Sequence, residues 1–385
     1  MMIRLIPLLI SIFCSVIVAA QSVTGSGYYR VQNIGTERFL YVKDNTGSYD
    51  MVRDVGDFEA LQLWKDQSLT ISDPSSIIYL EKQSSGQYDL QAQGTGIHDL
   101  VSMYVDLHYV STGSQKLIGS YTVSATHSGV TKYLGDRETG SYADGVVGTG
   151  MSSPYRNWKV IPVDSSDDDA YFGITPTVKC GSTYYYPFYA DFAFNMPTGM
   201  KAYIVTAIDT NLGMVVLKEI TGTVPASTPV IIACASGDPS DNRLSLLYST
   251  AGYPSDNLLK GVYFCNEKRK YSSDAITAFD SGTMRVLGVT SEGKLGFVSS
   301  SDNLYTYKNT LYLPANQAYL PVSSGTNSEL TIVSEEEYAT ASINSISIED
   351  ANSDAQPVYD LQGRRVTEIK RPGLYIRGGK KIVIK

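Results

Sequence analysis

Histidine and cysteine are scarce in this 385-residue chain, and that scarcity narrows the chemistry open to it. The three histidines, His98, His108 and His127, show no metal-ligand spacing. A zinc centre or a serine–histidine triad is hard to assemble from three isolated imidazoles. Of four cysteines, Cys14 lies near the N-terminus, which leaves Cys180, Cys234 and Cys265. There is no CxxC spacing and an odd number cannot pair completely, so a disulfide framework is not expected. Cys234 ends an apolar run and reads as a small buried hydrophobe, while a Cys234–Cys265 pair stays open. Basic residues are outnumbered, 31 against 39 acidic, which argues against a nucleic-acid partner. Helical periodicity is nearly absent, so the chain reads as all-β. Gly-x-Ser-x-Gly, His-Glu-x-x-His and Cys/His arrangements are all missing, so we expect no catalytic residue, no metal and no cofactor. A paired-carboxylate hydrolase obeys no spacing rule and is the enzyme alternative.

The longest apolar run, residues 5–18, is shorter than the ~20 residues of a membrane helix. Arg4 precedes it, and Val18-Ala19-Ala20 offers small residues for cleavage. Residues 1–20 therefore read as a secretory signal peptide, with the mature chain starting at Gln21 and carrying no membrane span. Phe13 precedes Cys14 where lipidation wants a small residue, so no lipid anchor is expected. The length suggests two or three domains.

Residues 22–165 contain a weak threefold repeat. Tyr29-Arg30-Val31-Gln32-Asn33 leads to Phe39-Leu40-Tyr41-Val42. Tyr79-Leu80-Glu81-Lys82 leads to Tyr88-Asp89-Leu90-Gln91-Ala92, and Tyr121-Thr122-Val123 to Lys132-Tyr133-Leu134-Gly135. Each reads as a strand, a Gly-containing turn and a returning strand. Gln62-Leu63-Trp64 closes the first unit and Arg156-Asn157-Trp158 the third, with Leu107-His108-Tyr109 at the middle position. Units of this length share one core, because none buries its apolar face alone.

This pattern, closed by Gln-x-Trp, resembles the ricin-type β-trefoil lectin family. The resemblance implies binding of galactose-type sugars through an Asp near the start of each repeat and an aromatic that stacks on the sugar. The matching positions are Asp44 and Asp136, with Tyr49 and Tyr142 as the stacking aromatics. The middle repeat departs from the pattern, having Gln91-Ala92-Gln93 in place of an acid, and is expected to have lost any site. The plainer reading is that Gln62, Trp64 and Trp158 are core residues and that both aspartates are ordinary turn residues.

The acidic run 164–169 lacks the Gly and the later Glu of a calcium loop and reads as a solvated linker. Residues 170–340 then show strand signals every 8 to 12 positions, which argues a β-sandwich-like domain. Tyr186-Pro187-Phe188, Met196-Pro197, Lys201-Ala202-Tyr203 and the segment from Val224 to Val230 resemble an accessory β domain of exported bacterial proteins. Alternation along the strand keeps Tyr184, Tyr185 and Tyr186 from forming one exposed platform.

Residues 341–385 spell a small β unit. Val358-Tyr359-Asp360-Leu361 precedes a Gln362-Gly363 turn, Pro372-Gly373 precedes Leu374-Tyr375-Ile376, and Gly378-Gly379 precedes the closing Lys-Lys-Ile-Val-Ile. This tail resembles the C-terminal sorting domain of type IX secretion substrates. The resemblance implies the secretion machinery as a partner and passage through the periplasm to the outer-membrane surface or beyond. Taken together, the sequence reads as a secreted or cell-surface, non-catalytic carbohydrate-binding protein with a glycan or glycoconjugate partner. The alternative is an adhesin-like protein that contacts host protein without a sugar site.

Overall fold

The computed structural model describes residues 23–42, 61–64, 70–93, 102–127, 129–136, 152–249, 251–252, 254–262, 277–300, 302–307, 309–341, 344–346, 356–378 and 380–384. Residues 1–22, Asp44, Tyr49, His98, Tyr142 and Cys265 lie outside them. The described chain is almost entirely β, as its periodicity predicts.

The first unit has nine strands: β1 (Gly27–Asn33), β2 (Phe39–Val42), β3 (Leu61–Trp64), β4 (Ile78–Lys82), β5 (Tyr88–Ala92), β6 (Ser102–Tyr109), β7 (Tyr121–His127), β8 (Val130–Tyr133) and β9 (Asn157–Pro162). All three expected strand pairs form, β1 with β2, β4 with β5 and β7 with β8. Strands β1, β4, β5, β6 and β7 pair in that order, and β9 pairs with both β7 and β1. The result is a closed ring of six strands, and closure removes the exposed edges of an open sheet. Leu40, Leu90 and Leu134 hold equivalent places in the repeats and are at most 2% exposed, in one cluster with Val31, Val123 and Trp158. The fully buried Trp158 donates its indole N–H to the Leu134 carbonyl at 3.0 Å. Tyr109, the expected counterpart of Trp158, is 46% exposed instead. It is the last residue of β6, and its ring meets Tyr121 edge-on at 5.3 Å, at the rim and not in the interior.

The second unit comprises β10 (Phe172–Gly173), β11 (Val178–Cys180), β12 (Thr183–Phe188), β13 (Ala193–Asn195), β14 (Lys201–Asp209), β15 (Met214–Ile220), β16 (Val230–Cys234), β17 (Arg243–Leu247), β18 (Lys260–Val262), β19 (Met284–Val289), β20 (Leu295–Val298), β21 (Tyr305–Tyr307), β22 (Thr310–Tyr312), β23 (Gln317–Pro321) and β24 (Glu329–Ser334). A small sheet, β10–β17–β13, packs Phe172, Phe194 and Leu244 against Phe188, Ile204, Val230 and Ile232 of a ten-stranded sheet. This is the two-layered arrangement expected of a sandwich. The large sheet also curls on itself. Phe188 pairs with Gln317, so β12, β16, β14, β15, β24, β20, β19 and β23 form a second closed ring. Val205, Val215, Ile231, Phe297, Leu320 and Leu330 fill it. Tyr185 packs against that cluster while Tyr184 and Tyr186 pack against the inter-sheet core, as alternation requires.

An α-helix, α1 (Glu335–Ala341), follows β24. The Glu337 N–H donates to the Ser334 hydroxyl at 3.1 Å, and the Ser334 N–H donates to the Glu337 carboxylate at 2.8 Å. That reciprocal cap, with three glutamates in the first turn, starts a helix only seven residues long.

The first two units share a core. Tyr28, Ile77 and Tyr79 of the first ring belong to the same cluster as Phe172, Phe188 and Phe192. Arg30, 3% exposed, donates to the Thr70 and Tyr171 carbonyls at 2.9 Å each and to the Ser76 hydroxyl at 3.2 Å. The acidic run between the units is an ordered turn. The Asp164 carboxylate accepts from the Ser166 N–H at 2.8 Å, and Asp168 pairs with Arg243 at 2.9 Å. The Arg243 guanidinium lies 4.2 Å over the Tyr171 ring.

The tail forms its own five-stranded sheet from β25 (Asn344–Ile346), β26 (Val358–Tyr359), β27 (Arg365–Val366), β28 (Gly373–Arg377) and β29 (Lys380–Ile384). Its core is Val358, Ile369, Ile382 and Ile384. Gly363 has φ 77°, the left-handed value that its turn requires. An edge strand from upstream, β25, runs parallel to β29.

Candidate binding surfaces

Of the four residues read as a sugar site, Asp136 is described, while Asp44, Tyr49 and Tyr142 lie outside the described residues. Asp136 is fully buried. Its carboxylate is held by the guanidinium of Arg38, with Nε to Oδ2 at 2.7 Å, and by the Thr36 hydroxyl. Its N–H donates to the Tyr155 carbonyl at 2.8 Å. Thr36 and Arg38 sit between β1 and β2, so Asp136 fastens the third repeat to the first. Gln93 does similar work after the second strand of the middle repeat, accepting the Asp191 N–H at 3.2 Å. In repeats two and three, the place after the returning strand is therefore occupied by a buried polar fastener.

A surface that sequence reading missed lies where the two units meet. Tyr28 and Tyr79 stand side by side on paired strands, ring centroids 4.9 Å apart, and the Tyr248 ring stacks on Tyr79 at 5.7 Å with 17° between planes. Tyr28 is itself edge-on to Phe192 at 6.0 Å. Burial raises the pKa of both Tyr28 and Tyr79, and the neighbouring Ser26 opposes the rise at Tyr79. Tyr248 directly follows β17, whose register with β13 fixes the backbone there. The alternating Arg243-Leu244-Ser245-Leu246 was the available signal for that strand.

A second concavity, of about 490 Å³, opens in the other unit between β11, the ends of β19 and β20, and the β21–β22 hairpin. Lys179, Asp302 and Asn303 line it together with Val289, Val298 and Leu311. Its size falls in the range of small-molecule pockets. Lys179 reaches over the Tyr184 ring at 4.9 Å, and the Asn303 amide donates to the Thr177 carbonyl at 3.4 Å. Among the described residues, no group of three or more His, Cys, Asp or Glu side chains converges as a metal site. Cys234 is buried and unpaired, and burial pushes its thiol up to about 12. No helix among the described residues is long and apolar enough to cross a membrane.

No protein-family model and no curated protein matches the chain. Among solved structures, the chain is similar to a mosquitocidal holotoxin at 10% identity and a TM-score of 0.26. The match covers 80% of this chain and 35% of the toxin chain, so this chain spans about a third of the length of that structure.

Proposed function

We propose that this chain is an exported, surface-located, non-catalytic binding protein whose ligand is a glycan. The observation that carries the glycan reading is the ring of β1, β4, β5, β6, β7 and β9. Its three repeat leucines meet in one core, as expected for a threefold domain resembling ricin-type lectins. Export is supported by the tail, which has a core of its own and carries eight basic and two acidic side chains over residues 356–385. That charge is opposite in sign to the rest of an acidic chain and suits contact with a separate partner. One observation favours the adhesin-like alternative, namely the engagement of the Asp136 carboxylate by Arg38 and Thr36.

The test is a glycan array probed with the chain from Gln21 onward, kept whole because the first two units share a core. Saturable, sugar-competed binding is the expected result. Absence of binding to every glycan at millimolar concentration would sink the lectin reading in favour of protein contact. Export is tested by removing residues 344–385, since β25 belongs to the tail sheet, and following surface proteolysis of intact cells. Unchanged surface exposure of the truncated chain overturns the sorting reading.

A further inference from the structure

We infer that Tyr248 is a carbohydrate-stacking platform at the junction of the two units, an inference that rests on the glycan reading above. An exposed tyrosine is ordinarily a mobile side chain, and ordering it on binding costs rotamer entropy. Tyr248 is 52% exposed yet fixed. One ring face lies parallel on Tyr79, which is only 5% exposed and is backed in turn by Tyr28. The Tyr28 hydroxyl donates to the carbonyl of Leu247, the residue preceding Tyr248, at 3.2 Å. The ring is thus held from both its face and its backbone. The 5.7 Å centroid separation makes this an offset stack, so Tyr79 covers part of the Tyr248 ring while about half of the residue stays open to solvent.

A rigid, open aromatic face suits one chemical class of ligand well. A pyranose offers a continuous patch of C–H bonds on one side and hydroxyls around its edge. The C–H patch meets the electron-rich ring face while the hydroxyls stay in contact with polar groups or water. Polar groups flank the neighbouring Tyr79 hydroxyl. Ser26 and Glu81 both lie near enough to influence the Tyr79 hydroxyl, Glu81 raising its pKa by its charge and Ser26 opposing that rise. A flat hydrocarbon would gain from the ring alone, whereas a sugar also uses this polar surround.

The experiment is affinity electrophoresis of the chain from Gln21 onward through gels containing soluble β-glucan, galactan or mannan. The wild type, Tyr248→Ala and Tyr248→Phe are compared, and circular dichroism confirms that each variant is folded. Retardation of the wild type in at least one gel is expected. Tyr248→Ala should weaken that retardation about five- to tenfold, and Tyr248→Phe, which keeps the ring, should retain it. If Tyr248→Ala migrates like the wild type in the retarding gel, the platform is refuted while the glycan reading stands. If Tyr248→Phe loses as much as Tyr248→Ala, the hydroxyl and not the ring makes the contact, and stacking is refuted. If no polysaccharide retards the wild type, the platform falls, while the glycan reading is decided separately by the array.

Discussion

Asn316 reaches Gln93 across 223 residues of sequence, its Nδ2 donating to the Gln93 Oε1 at 3.1 Å, and both residues hold positive φ, 56° and 59°. The same amide also donates to the Tyr189 carbonyl at 3.1 Å. Ser227, a third residue at φ 56°, donates to the buried Asp191, whose N–H bonds to Gln93. Three left-handed non-glycine residues thus converge on one buried polar node that ties the first ring to the second. Left-handed backbone of this kind persists only where surrounding bonds over-determine it.

Substitution at Asn316 separates the backbone cost from the hydrogen bonds. Asn316→Ala loses both bonds, leaves a buried carbonyl short of a donor and keeps an unfavourable φ, for a loss of roughly 2–4 kcal/mol. Asn316→Gly loses the same bonds but relieves the backbone, so it should be the less destabilised by ~1 kcal/mol. Urea unfolding of both variants measures this. Equal midpoints would show that φ contributes nothing at this position.

The first ring should not be stable alone. Excising residues 22–165 exposes Tyr28, Ile77 and Tyr79 and strips Arg30 of the Tyr171 carbonyl. Burial already lowers the Arg30 pKa to about 10, so a lost partner there is costly. The fragment should bind a hydrophobic dye and melt without a cooperative transition, whereas residues 22–340 melt cooperatively. A sharp melt of the short fragment contradicts the shared core.

Asp136→Ala should act on stability before it acts on any ligand. It removes the carboxylate that accepts from the Arg38 guanidinium, itself 5% exposed, and loss of a buried ion-pair partner costs up to about 3–5 kcal/mol. Replacing both partners, Arg38→Met with Asp136→Leu, should recover most of that loss. Denaturant midpoints check the pair, and a double variant no more stable than Asp136→Ala refutes the account.

Asp73 gives a pH dependence of defined sign. Burial pushes its carboxyl up to about 6, above the ordinary carboxylate range, against the opposing hydrogen bond from the Ser75 N–H at 2.7 Å and the charge of Arg30. A raised carboxyl favours the protonated form in the folded state. Its stabilising contribution is therefore present below about pH 4 and is lost as pH rises through 6. Relative to Asp73→Asn, the wild type should lose about 1–3 kcal/mol between those limits. Parallel stability curves for the two proteins over pH 4–7 would rule out this titration.

Cys234 should resist alkylation in the folded chain at pH 8, because its thiol is held up near 12, and should react on unfolding. Mass mapping of iodoacetamide adducts reads this directly, and labelling of native Cys234 at the rate of a small free thiol disproves it.

Local pattern alone determined the all-β class, the three repeat hairpins, most strands of the second unit and the turns of the tail. Period-two alternation and glycine at positive φ are properties of a few adjacent residues, legible wherever those residues sit. The tertiary structure decided which strands close the rings. The pairing of β24 with β15, that of β12 with β23 and the return of β9 to β1 join residues far apart, and no local pattern encodes a partner. It also decided the fate of individual polar residues. Asp136 and Gln93 both come shortly after returning strands, and their neighbours across the fold, Arg38 and Asn316, make them internal fasteners. Tyr248 looks unremarkable in sequence. Its rigid, open ring face comes from Tyr79 and Tyr28, which reach it from the other unit, because a side chain's exposure and freedom are set by what packs against it.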